Sequence, residues 1–163
     1  MSGMQRAVSF GVVAGALAQV ASAQFNNNWV GFNQEPARLV AAANLGALDT
    51  QEKDYGVGDF DRDGWVDVIC VRKEPFSTAG RRVNVLFMNE RGTLVDRTAQ
   101  FATGADVVGD QGFLTPTNDR DVTITDVNLD GWLDVVTATT YGDGLPKAIN
   151  HPRVYINLGQ GPT

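Results

Sequence analysis

The sequence predicts an all-β protein built from two copies of one structural unit, and three observations support this prediction. Two acidic loops, residues 59–67 and 126–134, share the pattern D-x-(D/N)-x-D-G-W-x-D and start 67 residues apart. Each loop leads into a β-branched apolar run, Val68–Val71 or Val135–Ala138, of the kind that forms strands. The 18 glycines and the scarcity of long helical patterns favour a turn-rich β architecture.

The residue types of both loops suit a hard divalent cation. Calcium takes six to eight oxygen ligands, whereas magnesium prefers a near-ideal octahedron with retained waters, so the loops favour calcium. We predict about two Ca²⁺ sites, each formed by the side-chain oxygens of its loop and one Trp carbonyl. The predicted ligands are Asp59, Asp61, Asp63, Trp65 and Asp67 in the first loop, and Asp126, Asn128, Asp130, Trp132 and Asp134 in the second.

The flanks of the loops exclude an EF-hand. An EF-hand needs a bidentate Glu at its twelfth position and a helix on each side. The twelfth positions here are Cys70 and Thr137, neither of which replaces a bidentate carboxylate. The segments that follow are rich in Val, Ile and Thr. The loops are therefore predicted to lead directly into β-strands.

The pattern D-x-D-x-D-G-x-x-D before a hydrophobic strand resembles the FG-GAP repeat of integrin-type β-propellers and the related VCBS repeat of secreted bacterial proteins. The likeness continues beyond the loops, where a strand ends in Asn89 or Asn157 before a glycine-containing turn. Asp54 and Asp121 also correspond, each five residues ahead of its loop, and an outer-shell or turn role is expected for both.

The resemblance implies β-propeller-type blades with the same calcium ligands, position by position. It covers roughly residues 54–161. One departure is Asn128 in place of the usual second Asp, which keeps an oxygen but removes a charge, so the second site is expected to be weaker.

The predicted organisation has four parts. Residues 1–23 are a signal peptide, 24–53 an N-terminal segment, 54–120 the first repeat, and 121–163 a second, truncated repeat. A propeller closes with about four to eight blades. Two repeats therefore predict an incomplete propeller, either a fragment or a chain whose blade edges another chain covers.

The first residues carry the features of an export signal. Arg6 precedes a small, apolar run over 7–20, and Ala21-Ser22-Ala23 forms an A-x-A cleavage site. The run is shorter than the roughly 20 apolar residues of a membrane span. The expected protein is secreted and extracellular, or periplasmic in a Gram-negative bacterium, with no membrane span after cleavage.

The net charge and the motifs of the sequence argue against nucleic-acid binding and against several classes of enzyme. The formal net charge of −6 argues against nucleic-acid binding, which needs a basic surface. No nucleophile elbow, zinc spacing or phosphate loop occurs, and His151 has no partner at catalytic spacing. The single Cys70 is expected to pack as a small buried hydrophobe. We therefore expect no enzymatic activity.

The expected function is that of an extracellular scaffold, adhesion or ligand-binding module whose ligand is an unknown protein or carbohydrate, with self-association through blade edges as a further possibility. Two alternatives stay open: a fragment of a calcium-dependent propeller enzyme such as a polysaccharide lyase or hydrolase, and a lectin. Trp65 and Trp132 are expected to cover the blade core, although a carbohydrate-stacking role is the competing interpretation.

The remaining strands follow from alternation and turn residues. Residues 66–71 are predicted as a buried strand, 82–88 as a half-buried strand, and 153–157 as its counterpart in the second repeat. Phe101 and Phe113 are predicted anchors of the connection between the repeats. Residues 35–45 fit either a short helix or a strand of a leading blade.

Overall fold

The computed structural model describes residues 31–42, 53–73, 81–139 and 152–159. The chain divides into two units, residues 1–34 and residues 35–163. Of the first unit, only residues 31–34 are described, and they are exposed and irregular. The predicted signal peptide and His151 both lie outside the described residues.

The first sheet of the second unit contains the first acidic loop. It has five strands in the order β1-β5-β4-β3-β2, of which β2 to β5 form an antiparallel meander and β1 pairs in parallel with β5. The strands are β1 (Leu39–Val40), β2 (Lys53–Gly58), β3 (Asp67–Arg72), β4 (Val85–Asn89) and β5 (Leu94–Asp96). This meander is the predicted blade.

The second sheet repeats this arrangement around the second loop. Its three described strands pair antiparallel in the order β6 (Asp119–Thr125), β7 (Asp134–Thr139) and β8 (Arg153–Tyr155). Gly58 pairs with Asp67 in the first sheet, and Thr125 pairs with Asp134 in the second. Each acidic loop therefore closes the hairpin between the first two strands of its repeat.

The main core lies between the two sheets. Its buried members are Phe60, Ile69, Val71, Leu86, Met88, Phe113 and Val135, and half-buried side chains of the second sheet pack against them. The sheets approach closely because β2 carries glycines: a Cβ at Gly56 or Gly58 would lie 2.8 Å from a methyl carbon of Ile124 or Leu133. These glycines therefore set the spacing between the blades.

A smaller core covers the opposite face of the first sheet. Cys70, Val85 and Phe87 are buried there. The prediction of a packed Cys70 is confirmed, since the residue is fully buried. The prediction that β4 is half-buried is wrong, because its alternate side chains enter the two cores on either side of the sheet.

The connection between the repeats contains one helical turn, α1 (Thr98–Phe101), and a 3₁₀ turn over Gly112–Leu114. Phe113 is buried and meets the Tyr155 ring edge to face, with ring centroids 4.6 Å apart. Phe113 is thus an anchor, as predicted. Phe101 is not, because 41% of its surface is exposed.

The described part of the segment before the first repeat, residues 35–42, differs from both predicted structures. A 3₁₀ turn over Pro36–Arg38 leads directly into β1, and β1 extends the outer edge of the first sheet instead of forming a leading blade. No helix among the described residues is long and apolar enough to cross a membrane.

The Phe113 contact gives a stability prediction. Phe113→Ala should lower the free energy of unfolding by about 3–5 kcal/mol, because it removes a buried ring and leaves a cavity between the blades. Phe101→Ala is the matched control and should cost clearly less, since 41% of the Phe101 surface is already exposed to water. Urea unfolding of the two variants measures the difference, and equal losses would contradict this account of the core.

Candidate metal centre

The two acidic loops follow the same backbone path. Arg62 and Leu129, at equivalent positions, have φ of 61° and 62°, and the glycines two residues later, Gly64 and Gly131, have φ of 90° and 89°. Left-handed backbone is costly for a side chain other than Gly, Asn or Asp. Both loops keep it because the turn directs alternate acidic side chains inwards.

The carboxylates of the first loop accept hydrogen bonds from the loop's own backbone. Asp59 accepts from the amides of Asp63 and Gly64 at 3.1 and 3.0 Å, and Asp63 accepts from Trp65 at 2.8 Å. Asp61 also accepts from the Asp63 amide, at 3.2 Å. These bonds hold the acidic side chains towards the inside of the turn.

Asp67 fixes the end of the loop to two other segments. Its carboxylate is buried and accepts from the amide of Phe60 at 2.9 Å and from the amide of Asn89 at 2.7 Å. Burial raises the pKa of Asp67 against the effect of these two hydrogen bonds, and the charges of Asp61 and Asp63 raise it further. Asp67 therefore joins the start of the loop, strand β3 and the end of strand β4.

Three carboxylates of the first loop converge. One oxygen each from Asp59, Asp61 and Asp67 lies within 4.8 Å of the other two. Ligands on opposite sides of a calcium ion at 2.3–2.6 Å would be about 5 Å apart, so these three oxygens can share one ion of that size. Of the predicted ligands, Asp63 lies outside this group, and the Trp65 carbonyl is not tested by it.

The cluster is electrostatically unfavourable without a counter-charge. Partial burial raises the pKa of Asp61, and the neighbouring charges of Asp63 and Asp59 also raise it, against a hydrogen bond from the Asp63 amide. A shift in this direction means that the charged form is disfavoured. A bound cation would reduce the repulsion between these carboxylates.

The second loop reproduces the hydrogen bonds of the first. Asp126 accepts from the amides of Asp130 and Gly131, and Asp130 accepts from Trp132. Asp134 is buried and accepts from the Val127 amide at 2.8 Å and from the Asn157 amide at 2.8 Å. The second loop therefore repeats the hydrogen bonds of the first, with Asn128 in place of Asp61, while among the described residues a converging group of three carboxylates is found in the first loop alone.

Asn128 changes the chemistry of the second loop. Its side-chain oxygen accepts from the Asp130 amide at 3.1 Å, as Asp61 does in the first loop, but its NH₂ group donates to Asp130 at 2.8 Å. The Trp132 amide, this NH₂ group and the charge of Arg62 together lower the pKa of Asp130. The second loop thus has less unbalanced charge than the first.

The two tryptophans lie outside the cores, which contradicts the expectation that they cover the blade core. Trp65 is 44% exposed, and neither ring belongs to a buried cluster. Trp132 instead lies against the hairpin turn at Gly159, where a Cβ would be 2.3 Å from its indole nitrogen, and Arg62 stacks on it at 3.8 Å. The turn glycine and Arg62 cover the ring.

Two asparagines form hydrogen bonds that hold the ends of the acidic loops, although the sequence identified them only as the ends of strands. The Asn89 side chain donates to the Val66 carbonyl at 2.8 Å and accepts from Gly92. Asn157 makes the equivalent bonds to Leu133 and Gly159. Their repetition at equivalent positions was the available signal. Asp54 serves elsewhere, since it accepts from the Val122 amide at 3.1 Å and joins the two sheets.

Comparison with known families agrees with the loop geometry. Residues 59–137 match the family described as FG-GAP-like repeat. The matched region is an FG-GAP-like repeat. The match begins at Asp59, the first predicted ligand of the first loop, and ends within strand β7, so it includes both acidic loops. No curated protein and no solved structure matches the chain.

The raised carboxyl pKa values predict how stability depends on pH in metal-free buffer. Because folding raises the pKa of Asp61 and Asp67 above the ordinary 3.8, their contribution to stability is fully present below pH 3.8 and is lost as the pH rises through the folded-state values. Asp61→Asn should therefore flatten the decline of the unfolding free energy above pH 3.8, measured by urea titration at several pH values.

Asp130→Asn is the contrasting variant. The pKa of Asp130 is lowered, so its contribution is present above the ordinary 3.8 and is lost as the pH falls below it. Removing this carboxylate should leave the decline above pH 3.8 in place. If the Asp61 variant keeps the full decline of the parent protein, the acidic cluster is not its source.

Proposed function

We propose that this FG-GAP-like protein is a secreted, calcium-stabilised β-propeller-type module that serves as an extracellular scaffold, adhesion or ligand-binding surface. The observation that carries the calcium part is the convergence of Asp59, Asp61 and Asp67, whose oxygens lie within 4.8 Å of one another. The family match and the export signal expected over residues 1–23 support the extracellular part.

The donor set favours calcium over other cations. The four acidic side chains of the first loop offer oxygen, and thiolate or imidazole groups, which zinc prefers, do not occur within the loop. In this proposal the carboxylate oxygens of the loop are supplemented by the Trp65 carbonyl and by water, and the number of waters can vary. Calcium accepts such irregular oxygen sets more readily than magnesium.

The role of the ion in this proposal is structural. The ion neutralises carboxylates that repel one another, and it ties the loop between β2 and β3 to Asp67 at the start of β3. Since Asp67 also binds the amide at the end of β4, an ordered loop positions three strands at once. Binding energy at the loop then becomes folding energy.

The proposal assigns no reaction to the loops. Their carboxylates are bonded to backbone amides of the same turn, which suits a fixed ligand better than an acid that must exchange protons with a substrate. The ligand is expected to be a protein or carbohydrate outside the cell, and contact through blade edges with a second copy is part of the same proposal.

A lectin is the second candidate, and the exposure of Trp65 favours it. The ring is 44% exposed beside the first loop, so a sugar could stack on it, whereas Arg62 already covers Trp132. The two tryptophans, at equivalent positions, form a natural matched pair.

Calcium should raise the thermal stability of the full chain. A native-state ligand present at about 100 times its Kd stabilises by about 2.7 kcal/mol, which corresponds to a rise on the order of 10 °C in Tm. Asp59→Ala should abolish most of this rise. Differential scanning calorimetry measures the Tm, and a Tm indifferent to calcium would refute the proposal.

Asn128→Asp should increase the calcium affinity of the second loop roughly tenfold, because it restores a negative charge to the predicted ligand set. Calorimetric titration measures this affinity.

The lectin candidate has its own test. On a glycan array, Trp65→Ala should abolish binding and Trp132→Ala should leave it largely intact, because only the first ring is open to a sugar. Loss of binding in both variants would indicate a general structural defect, and no binding by the parent chain would favour a protein ligand.

A further inference from the structure

Side chains of each repeat reach into the acidic loop of the other. Arg62, at the tip of the first loop, contacts the second loop, and Asn157, at the end of β8, contacts the first. The two loops are therefore part of one hydrogen-bonded assembly at the same end of the paired sheets. We refer to Arg62 and Asn157 together as the inter-loop clamp.

Arg62 makes two contacts with the second loop. Its guanidinium donates a hydrogen bond to the Gly131 carbonyl and lies 3.8 Å over the centre of the Trp132 ring. Arg62 has a left-handed backbone, and its side chain extends from its own loop to the second loop. Leu129 occupies the equivalent place in the second loop with nearly the same φ, yet its side chain is 87% exposed. The contact is thus specific to the first repeat.

Asn157 touches both loops with one side chain. Its NH₂ group donates to the Phe60 carbonyl of the first loop at 2.8 Å and to the Leu133 carbonyl of the second at 3.3 Å. Its backbone amide donates to Asp134 at 2.8 Å. Among the bonds of the described residues, those of the equivalent Asn89 stay within the first repeat.

These bonds join two predicted ligands by a short route. Asp67 accepts from the Phe60 amide, the carbonyl of Phe60 accepts from Asn157, and the amide of Asn157 donates to Asp134. The Phe60 side chain is buried in the core between the blades, which holds the middle of this route in place. One buried residue and one asparagine therefore connect the two carboxylates.

We propose that the inter-loop clamp couples the two cation sites, so that calcium in one loop strengthens calcium binding in the other. An ion in the first loop fixes Asp67, and hence Phe60 and Asn157, in the position that Asp134 needs. The second ion then binds a loop that is already ordered, so its binding is opposed by a smaller loss of conformational entropy. The inference rests on the calcium binding proposed above and adds to it a link between the blades.

The coupling is measured by calorimetric calcium titration of the full chain with one loop disabled at a time. Asp59→Ala removes the first site and should weaken the second about five- to tenfold, within the range of ordinary site-to-site coupling. Asp126→Ala removes the second site and should weaken the first by the same factor, because coupling between binding sites is reciprocal.

The clamp variants identify the route. In an Asn157→Ala background, disabling one loop should change the affinity of the other less than twofold. Asn89→Ala is the matched control: it removes the equivalent bonds within the first repeat and should keep the five- to tenfold coupling. Should Asn157→Ala fail to fold, Arg62→Ala against Leu129→Ala provides the second pair, with partial loss of coupling expected only in the arginine variant.

The outcomes separate this inference from the proposed function. Two sites that bind calcium with affinities independent of each other would overturn the coupling and leave calcium binding intact. Coupling that survives in both Asn157→Ala and Arg62→Ala would overturn the assigned route. Absence of calcium binding in the parent chain would overturn the proposed function and the coupling with it.

Discussion

A buried carboxylate at the start of the second strand of each repeat is the contact on which the architecture depends. Asp67 and Asp134 are almost completely inaccessible, and each accepts hydrogen bonds from one amide in the preceding loop and one amide at or just beyond the end of the next strand. Backbone amides are costly to bury without an acceptor. One carboxylate thus satisfies two of them and joins three consecutive parts of the chain.

The same carboxylates connect folding to electrostatics. Asp67 is buried within a loop that carries three further acids, and its pKa is raised by burial and by its charged neighbours. Negative charge concentrated around this structural contact opposes folding, and the cation proposed for the loop would offset that charge. In the proposed calcium-bound form, Asp67 would serve both as a structural contact and as a ligand.

The two repeats share their backbone but differ in charge. Equivalent hydrogen bonds agree within a few tenths of an ångström, and the left-handed residues match. Asn128, however, replaces a carboxylate and donates to Asp130, while Arg62 brings a positive charge to the second loop. The first loop consequently has the greater uncompensated negative charge. In the second loop, Asn128 and Arg62 already reduce that charge.

The sequence by itself determined the repeat, the acidic loops, the strands that follow them and the resemblance to the FG-GAP repeat. These features are local: the spacing of the acidic residues, the glycine position and the β-branched runs lie within about 15 residues of one another, and their recurrence 67 residues later removed most of the ambiguity. The anchor role of Phe113 was also predicted, but Phe101, equally apolar, proved exposed because only its surroundings in the fold distinguish the two.

Only the tertiary structure decided what lies between the repeats. The fully buried state of β4 depends on cores on both faces of its sheet, and the position of Trp132 depends on Gly159 and Arg62, which are distant in sequence. The bridge from Asn157 to Phe60 joins residues 97 positions apart. Such contacts arise from the packing of the two blades. The periodicity of side chains along one strand shows which face of the strand is buried, but it does not show which residues of another strand or loop that face will contact.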